Sequence, residues 1–264
     1  MEEREYLLVK RKVRELVEVD LTHYKSRQVQ RRLSALLARS GYSSWTQYFR
    51  HLEGDAQALR KFKSYLTINV SEFFRDSSKW AYMGEQVLPQ LLQGRARMRI
   101  WSAGCSHGAE PYTLAMLLDE LSAYPRGHRI LGTDIDRGML DQARGGGPYT
   151  EDDVKNVGED RLRRYFDRDG DDYWVKPTLR SRITFCHHDL LNDPFEEGFD
   201  LIVCRNVVIY FTAETKSLLY RRFTEALRIG GVLFVGGTEI ISSARELSLH
   251  SFHISFYRRN GTGV

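Results

Sequence analysis

The sequence predicts an α/β protein: an all-helical N-terminal domain, then a doubly wound, mostly parallel sheet interrupted by a small antiparallel β-subdomain. Three observations predict it. Residues 1–75 carry apolar residues at helical spacing and no strand signal. From residue 98, short apolar runs alternate with helical stretches, the pattern of a parallel sheet covered on both faces. Residues 145–180 break that rhythm with a glycine-rich loop and a turn. The length of 264 residues, 42% hydrophobic and 28% charged, fits a small domain plus a medium one and excludes a disordered or fibrous chain.

The helical part opens on a mixed amphipathic segment around Leu7, Leu8 and Val17. Thr22 is expected to cap the next helix, whose apolar positions are Val29, Leu33, Leu36 and Leu37, and Gly41 closes it. Ser44 opens a helix carrying Trp45, Tyr48, Phe49 and Leu52. Gly54 ends that helix, and Asp55 caps a fourth with Leu59, Phe62, Tyr65 and Leu66. Strands are expected at Met98–Trp101, Ile130–Thr133, Ile183–Cys186, Leu201–Cys204 and Val232–Val235, with helices at Tyr112–Leu121, Met139–Arg144 and Thr215–Arg228. In the interruption, Tyr165-Phe166 and Tyr173-Trp174-Val175 flank DRDGDD, a hairpin turn. The boundaries expected are 1–76 and 77–264, with the β-subdomain at about 148–182.

Composition narrows the function classes. No apolar run reaches the roughly 18 residues needed to span a bilayer, and the charged N-terminus does not read as a signal peptide. Three widely spaced cysteines (105, 186, 204) fit neither a disulfide framework nor a structural zinc site, so a reducing cytoplasm is expected. Fifteen Lys and Arg against nine Asp and Glu give residues 1–75 a charge of +6, whereas the remainder carries −2. The basic module suggests a docking surface for an acidic partner.

The first strand runs into WSAGCSHGAEPYT, where Gly104 and Gly108 bracket a tight turn and Pro111 suits the first helical turn. It is neither GxGxxG nor a P-loop. The second strand ends in Thr133-Asp134-Ile135-Asp136. Asp134 stands where an acid accepts from two ribose hydroxyls, and Asp136 is expected to cap the following helix. Together these imply a nucleoside ligand. Glu110 at the helix start would repel a pyrophosphate but attract an ammonium, which suits S-adenosylmethionine (SAM) better than NAD. The cluster Cys186-His187-His188-Asp189 invites a metal, but neighbours on a strand point to opposite faces, so no metal is expected. Asp189 is instead placed to accept from an adenine amine beside Leu190. The fourth strand ends in Arg205-Asn206, with Tyr210 beyond, putting polar groups at the ligand end of the sheet.

At this point the chain resembles the chemotaxis receptor methyltransferases of the CheR family. The matching stretches are TINVSEFFR (67–75), WSAGCSHGAEPYTLAMLL (101–118), GTDID (132–136), HDLL (188–191), CRNVVIYF (204–211) and GGVLFVGGTE (230–239). The resemblance implies a SAM-dependent methyltransferase domain with a Rossmann-like sheet. It implies esterification of glutamate side chains on chemoreceptors, and hence sensory adaptation. By resemblance, Asn69, Ser71, Arg75, Glu110, Asp134, Asp189, Leu190, Arg205 and Asn206 hold SAM, with Glu110 on its amino group. Arg75 and Tyr210 lie near the transferred methyl.

Three features depart from the family pattern. The turn usually read STGEEP is SHGAEP, with His107 and Ala109 substituted and Glu110 kept. Asp189 stands where relatives often carry Asn. The hairpin RYFDRDGDDYWV is short, which implies independence from a receptor C-terminal peptide. Lys25, Arg27, Arg31 and Arg32 are the expected docking face for the receptor's helical bundle. The chain is expected to be a monomer that neither binds nucleic acid nor enters the membrane. It lacks an Asn-Pro-Pro-Tyr-type motif, and no aromatics interleave with its basic cluster. A SAM-binding adaptor without turnover is the non-enzymatic alternative, disfavoured by the presence of Arg75 and Tyr210.

Overall fold

The computed structural model describes residues 1–95, 97–121 and 127–261. The chain divides into two compact units, Met1–Ile68 with Val208–Leu218, and Asn69–Val207 with Leu219–Val264.

The first unit contains α1 (Glu3–Val17), a 3-10 turn (Leu21–His23), α2 (Ser26–Ser40), α3 (Trp45–Gly54) and α4 (Ala56–Thr67). Their ends follow from capping chemistry. Ser44 accepts from the Gln47 N–H, Asp55 accepts from Gln57 and Ala58 at 2.8 and 3.0 Å, and Gly41 ends α2 at φ +77°. Thr22 does not cap α2. Its N–H and hydroxyl both donate to Asp20, which caps the 3-10 turn instead, and α2 begins later, after Lys25, with no side-chain cap. Val9, Val13 and Val17 bury one face of α1, and Trp45, Tyr48, Phe49 and Phe62 form an aromatic cluster between α3 and α4. A distant segment completes this unit. The Lys25 N–H donates to the Tyr210 carbonyl at 2.9 Å, the Thr212 N–H donates to His23 at 2.9 Å, and the Tyr24 and Phe211 rings meet at 4.8 Å.

The boundary expected at residue 76 therefore differs from the unit boundary at 68. Phe73 and Phe74 are buried in the second unit, where their N–H groups donate to the Asp153 carbonyl at 2.9 Å and to Thr113 Oγ1 at 3.2 Å.

The second unit begins with α5 (Ser77–Tyr82), a π-turn (Met83–Val87) and α6 (Leu88–Leu92). Strands β1 (Arg99–Ala103), β2 (Arg129–Asp134), β5 (Ile183–His187), β6 (Phe199–Cys204), β7 (Leu227–Val235), β8 (Leu249–His253) and β9 (Phe256–Arg259) form one sheet in the order β5-β2-β1-β6-β7-β9-β8. The first five are parallel; β9 runs antiparallel to both β7 and β8. Buried α7 (Ala109–Glu120) follows β1, and α8 (Arg137–Gly145) follows β2. The interruption holds α9 (Glu151–Val154), α10 (Glu159–Tyr165), the hairpin β3 (Phe166–Asp169) and β4 (Asp172–Val175), and α11 (Pro177–Arg180). The last helix, α12 (Ala213–Ala226), begins and ends two residues earlier than expected, because Leu227 and Arg228 already belong to β7. The β8–β9 hairpin has no expected counterpart in the sequence. It is fixed by tertiary contact: the Phe256 ring stacks on Phe234 at 4.3 Å.

Strand order reverses between β1 and β6, which opens a crevice at their carboxyl ends. The wall beneath it is aromatic. Trp80, 1% exposed, meets Phe234 edge-on at 5.4 Å. Trp80→Ala is expected to cost about 3–5 kcal/mol, read as a lower midpoint in urea unfolding.

Candidate active site

The turn after β1 shapes the crevice. Gly104 and Gly108 sit at φ +79° and +92°, and side chains there would lie 2.5 Å from Val207 Cγ2 and 2.9 Å from Ala143 Cβ. Only glycine fits both the backbone and the space. The Gly104 and Cys105 N–H groups donate to the Thr133 carbonyl at 2.8 and 2.9 Å, joining this turn to the end of β2.

Glu110, in the first turn of α7, accepts from Ser102 Oγ at 2.7 Å and faces Arg205 Nη1 at 3.9 Å. Burial pushes its carboxyl up to about 7, against the opposing pull of Arg205 and the Ser102 hydroxyl. Asp134 is 8% exposed; its two oxygens accept from the Asp136 and Ser106 N–H groups at 2.9 and 2.8 Å. Burial raises its pKa, and those two backbone donors offset part of the rise. Asp136 caps α8 through Gly138 and Met139, as expected, and also accepts from Asn69 Nδ2 at 2.7 Å.

The segment Asn69–Arg75 is held on three sides. Phe73 lies edge-on to Tyr149 at 4.9 Å and to Phe166 at 5.1 Å. Glu72 pairs with Lys155 at 2.7 Å. His107, the residue that departs from the family turn, brings Nε2 to 3.0 Å from the Ser71 carbonyl, and its own carbonyl accepts from Tyr149 OH at 2.6 Å. Arg75 donates to the Val70 carbonyl at 3.0 Å, and its charge reaches both Glu110 and Arg205.

Arg205 joins these parts. It is 7% exposed, lies between the Trp80 and Phe234 rings at 5.4 and 4.8 Å, and donates to the Arg75 carbonyl at 2.9 Å and to Asp76 Oδ2 at 2.5 Å. Burial lowers its pKa, and Glu110 and Asp76 oppose that. Asn206 follows at φ +59°. The structure thus brings Asn69, Ser71, Arg75, Glu110, Asp134, Arg205 and Asn206 to one end of the sheet. Ser106 Oγ and Arg205 Nε are buried there without a hydrogen-bond partner among the described residues.

Three expected residues stand differently. The Asp189 oxygens accept from the Leu191 N–H at 2.8 Å and from Asn192 Nδ2 at 2.7 Å, so the carboxylate braces its own loop. Buried Leu190 follows it, its carbonyl held by Arg222. Tyr210 belongs to the first unit, on the 3-10 turn Val208–Tyr210. On α2, Arg27 and Arg31 are exposed, as is Lys25 just before it. Arg32 is spent on α4: Nη2 donates to the Tyr65 carbonyl at 2.5 Å, and the guanidinium lies 5.0 Å from the Tyr65 ring centroid.

Sequence reasoning missed Glu239, 5% exposed at the end of β7, and gave His107 no role. Glu239 had a signal in the GGTE turn; the contacts of His107 had none. Burial pushes the Cys105 and Cys204 thiols well up, so neither is a thiolate nucleophile. Among the described residues, no group of three His, Cys, Asp or Glu is placed to hold a metal, and no helix is long and apolar enough to cross a membrane.

Comparison with known proteins places this geometry. A family model described as "CheR methyltransferase, SAM binding domain" matches residues 69–254, and one described as "CheR methyltransferase, all-alpha domain" matches residues 4–67. The chain is 43% identical over 256 residues to a chemotaxis protein methyltransferase of Listeria innocua, covering 97% of both chains. It is 36% identical over 225 residues to chemotaxis protein methyltransferase 1 of Pseudomonas aeruginosa, covering 81% of this chain and 82% of that one. A Salmonella typhimurium chemotaxis protein methyltransferase is 32% identical over 239 residues, covering 87% and 81%. With both family models matched in order along the chain, this protein belongs to the CheR methyltransferase family.

Proposed function

We propose that this protein transfers the methyl group of SAM to glutamate side chains in the cytoplasmic helical bundle of chemoreceptors, giving glutamyl methyl esters and S-adenosylhomocysteine. That activity would serve sensory adaptation from the cytoplasm, by a monomer that needs no receptor-peptide tether. The observation that carries the reading is Glu110, a buried carboxyl beside Arg205 at the carboxyl ends of the strands. The residues fit the donor. Glu110 answers an ammonium, Asp134 keeps lone pairs for ribose hydroxyls, and the glycine turn lets a ligand approach the backbone. Leu190 borders the adenine, with Asp189 accepting from its amine. Asn69, Ser71, Arg205 and Asn206 complete the cradle.

When bound, SAM supplies a methyl group made electrophilic by its sulfonium. The substrate glutamate, with an ordinary pKa near ~4.3, is ionised at neutral pH and needs no general base. The work of the chain is alignment and desolvation. Arg75 grips the substrate carboxylate and aims one oxygen at the methyl, a task that suits a planar two-pronged donor. Tyr210 is assigned to the methyl-transfer step by the family resemblance alone. The experiment that tests the reading incubates the protein with methyl-tritiated SAM and chemoreceptor-bearing membranes. Label on the receptor that mild base releases as methanol is expected; base-stable label, or label on added RNA, would overturn the substrate class.

Glu110 also sets a pH dependence. Its folded-state pKa lies above the ordinary 4.5, so the unliganded fold binds the extra proton between pH 4.5 and about 7, and its stability falls as pH rises through that window. An ammonium needs the ionised form. Calorimetry of SAM binding at pH 6.5, in two buffers of different ionisation heat, is expected to report release of a fraction of a proton. In Glu110→Gln that release disappears, and affinity drops by roughly tenfold or more.

Lys25, Arg27 and Arg31 form the docking face for the acidic receptor bundle; Arg32 contributes packing on α4 rather than a free charge. The double variant Arg27→Glu with Arg31→Glu is expected to raise KM for receptor about tenfold at low salt. Its kcat should stay close to wild type, and the salt dependence of KM should be lost.

A further inference from the structure

The segment Asn69–Arg75 crosses the carboxyl ends of three neighbouring strands, with one contact at each crossing. Asn69 Nδ2 donates to Asp136, just beyond β2, at 2.7 Å. The Ser71 carbonyl meets Nε2 of His107, just beyond β1, at 3.0 Å. The Arg75 carbonyl accepts from Arg205, just beyond β6, at 2.9 Å. The sheet order β2-β1-β6 matches the order of these contacts along the segment, and His107 makes the middle one.

The base of His107 is firmly held. Ser106 and Gly108 flank it at φ +50° and +92°. The Ser106 N–H donates to Asp134 at 2.8 Å, the Gly108 N–H to the Cys105 carbonyl at 3.0 Å, and the His107 carbonyl accepts from Tyr149 OH at 2.6 Å. The ring itself packs edge-on to Tyr149, with centroids 5.3 Å apart. Nε2 faces two acceptors, the Ser71 carbonyl at 3.0 Å and Asp153 Oδ1 at 3.7 Å, so Nε2 carries the proton and donates. Nδ1 is buried without a hydrogen-bond partner among the described residues. Burying an unmet ring nitrogen is unfavourable, and an apolar side chain would fill the space without that cost. What the imidazole supplies here is the donor at Nε2.

We propose that His107 is a positioning residue for donor binding: through Nε2–H it holds the Ser71 carbonyl over the end of β1 and so fixes the middle of Asn69–Arg75. The proposal deepens the SAM reading above, in which Asn69, Ser71 and Arg75 hold the donor. His107 acts through Ser71 and has no need to touch the donor. Without its bond, Asn69 and Glu72 remain tied on either side, and Val70 and Ser71 gain freedom that a bound donor must remove. The Val70 carbonyl is also the acceptor for Arg75 Nη1 at 3.0 Å, so the same freedom reaches the Arg75 guanidinium. A side chain locked by its own packing is suited to hold such a segment in one conformation.

Two measurements on the purified full chain test this. His107→Leu keeps bulk and removes the donor, whereas His107→Gln places an amide N–H at about the reach of Nε2. The first measurement is amide hydrogen exchange without ligand. A peptide covering residues 69–75 is expected to exchange about fivefold faster in His107→Leu than in wild type, with β1 and β6 unchanged, and at close to the wild-type rate in His107→Gln. The second is calorimetric SAM binding, expected to weaken about tenfold in His107→Leu and less than about threefold in His107→Gln. Unchanged exchange at 69–75 in His107→Leu overturns the proposal. So does faster exchange spread equally over the sheet, the mark of a merely structural role, or a Gln variant no better than Leu. Faster exchange confined to 69–75 with unchanged SAM affinity overturns it as well. Should His107→Leu fail to fold, His107→Asn, whose amide stops short of the Nε2 position, takes its place with the same expectations. A wild-type chain that does not bind SAM would instead overturn the SAM reading, and exchange would still decide whether His107 holds the segment.

Discussion

The second unit depends on one buried cation. A guanidinium taken out of water is costly unless its charge and its donors are met. Arg205 meets that requirement with the Asp76 carboxylate, the Arg75 carbonyl, the facing Glu110 and the rings of Trp80 and Phe234. The partners come from four parts of the chain: the segment before α5 (Arg75 and Asp76), α5 itself, α7 and β7. Satisfying one side chain therefore fixes where the Arg75 backbone lies, how Glu110 is charged and which face of α5 turns to the sheet. A lysine carries the same charge but has no fork to divide among these partners.

The same logic explains why Asn69–Arg75 is held in place without being a regular element. Its backbone is tied to Asp153 and Thr113, its aromatic residues are sunk against Tyr149, Phe166 and Trp80, and Glu72 is paired with Lys155. The β-subdomain region thus has a structural task next to the site, since Asp153, Tyr149 and Phe166 all belong to it. His107 adds a further tie, from the glycine turn to the Ser71 carbonyl. The tie depends on the reach of the imidazole, whose Nε2 lies 3.0 Å from that carbonyl.

Much of the geometry around the candidate site was legible because its chemistry is local. Gly104 and Gly108 occupy backbone conformations that other residues avoid, Asp136 caps the helix that starts beside it, and Asp55 and Ser44 do the same in the helical unit. Asp134 and Glu110 were visible from their distances to the ends of apolar runs. Asp189 was legible as a residue at a strand end, but it was read as facing a ligand, whereas its oxygens accept from its own loop, from the Leu191 N–H and Asn192 Nδ2. Arg32 looked like its neighbours in the basic run. Only the packing of α2 on α4 separates a guanidinium stacked on Tyr65 from the exposed Arg27 and Arg31.

By itself the sequence determined the fold class, the carboxyl strand ends that line the crevice and the family, because period, glycine placement and motif order survive without coordinates. The tertiary structure decided the rest. It moved the boundary from residue 76 to 68 and gave Val208–Leu218 to the helical unit, since hydrogen bonds from Lys25 and Thr212 join segments far apart in the chain. It built the β8–β9 hairpin on Phe234, and it closed the Glu239 carboxylate on the Gly236 N–H. Burial and long-range pairing are properties of the assembled core, and a linear pattern carries them only where the neighbours in space are also neighbours in sequence.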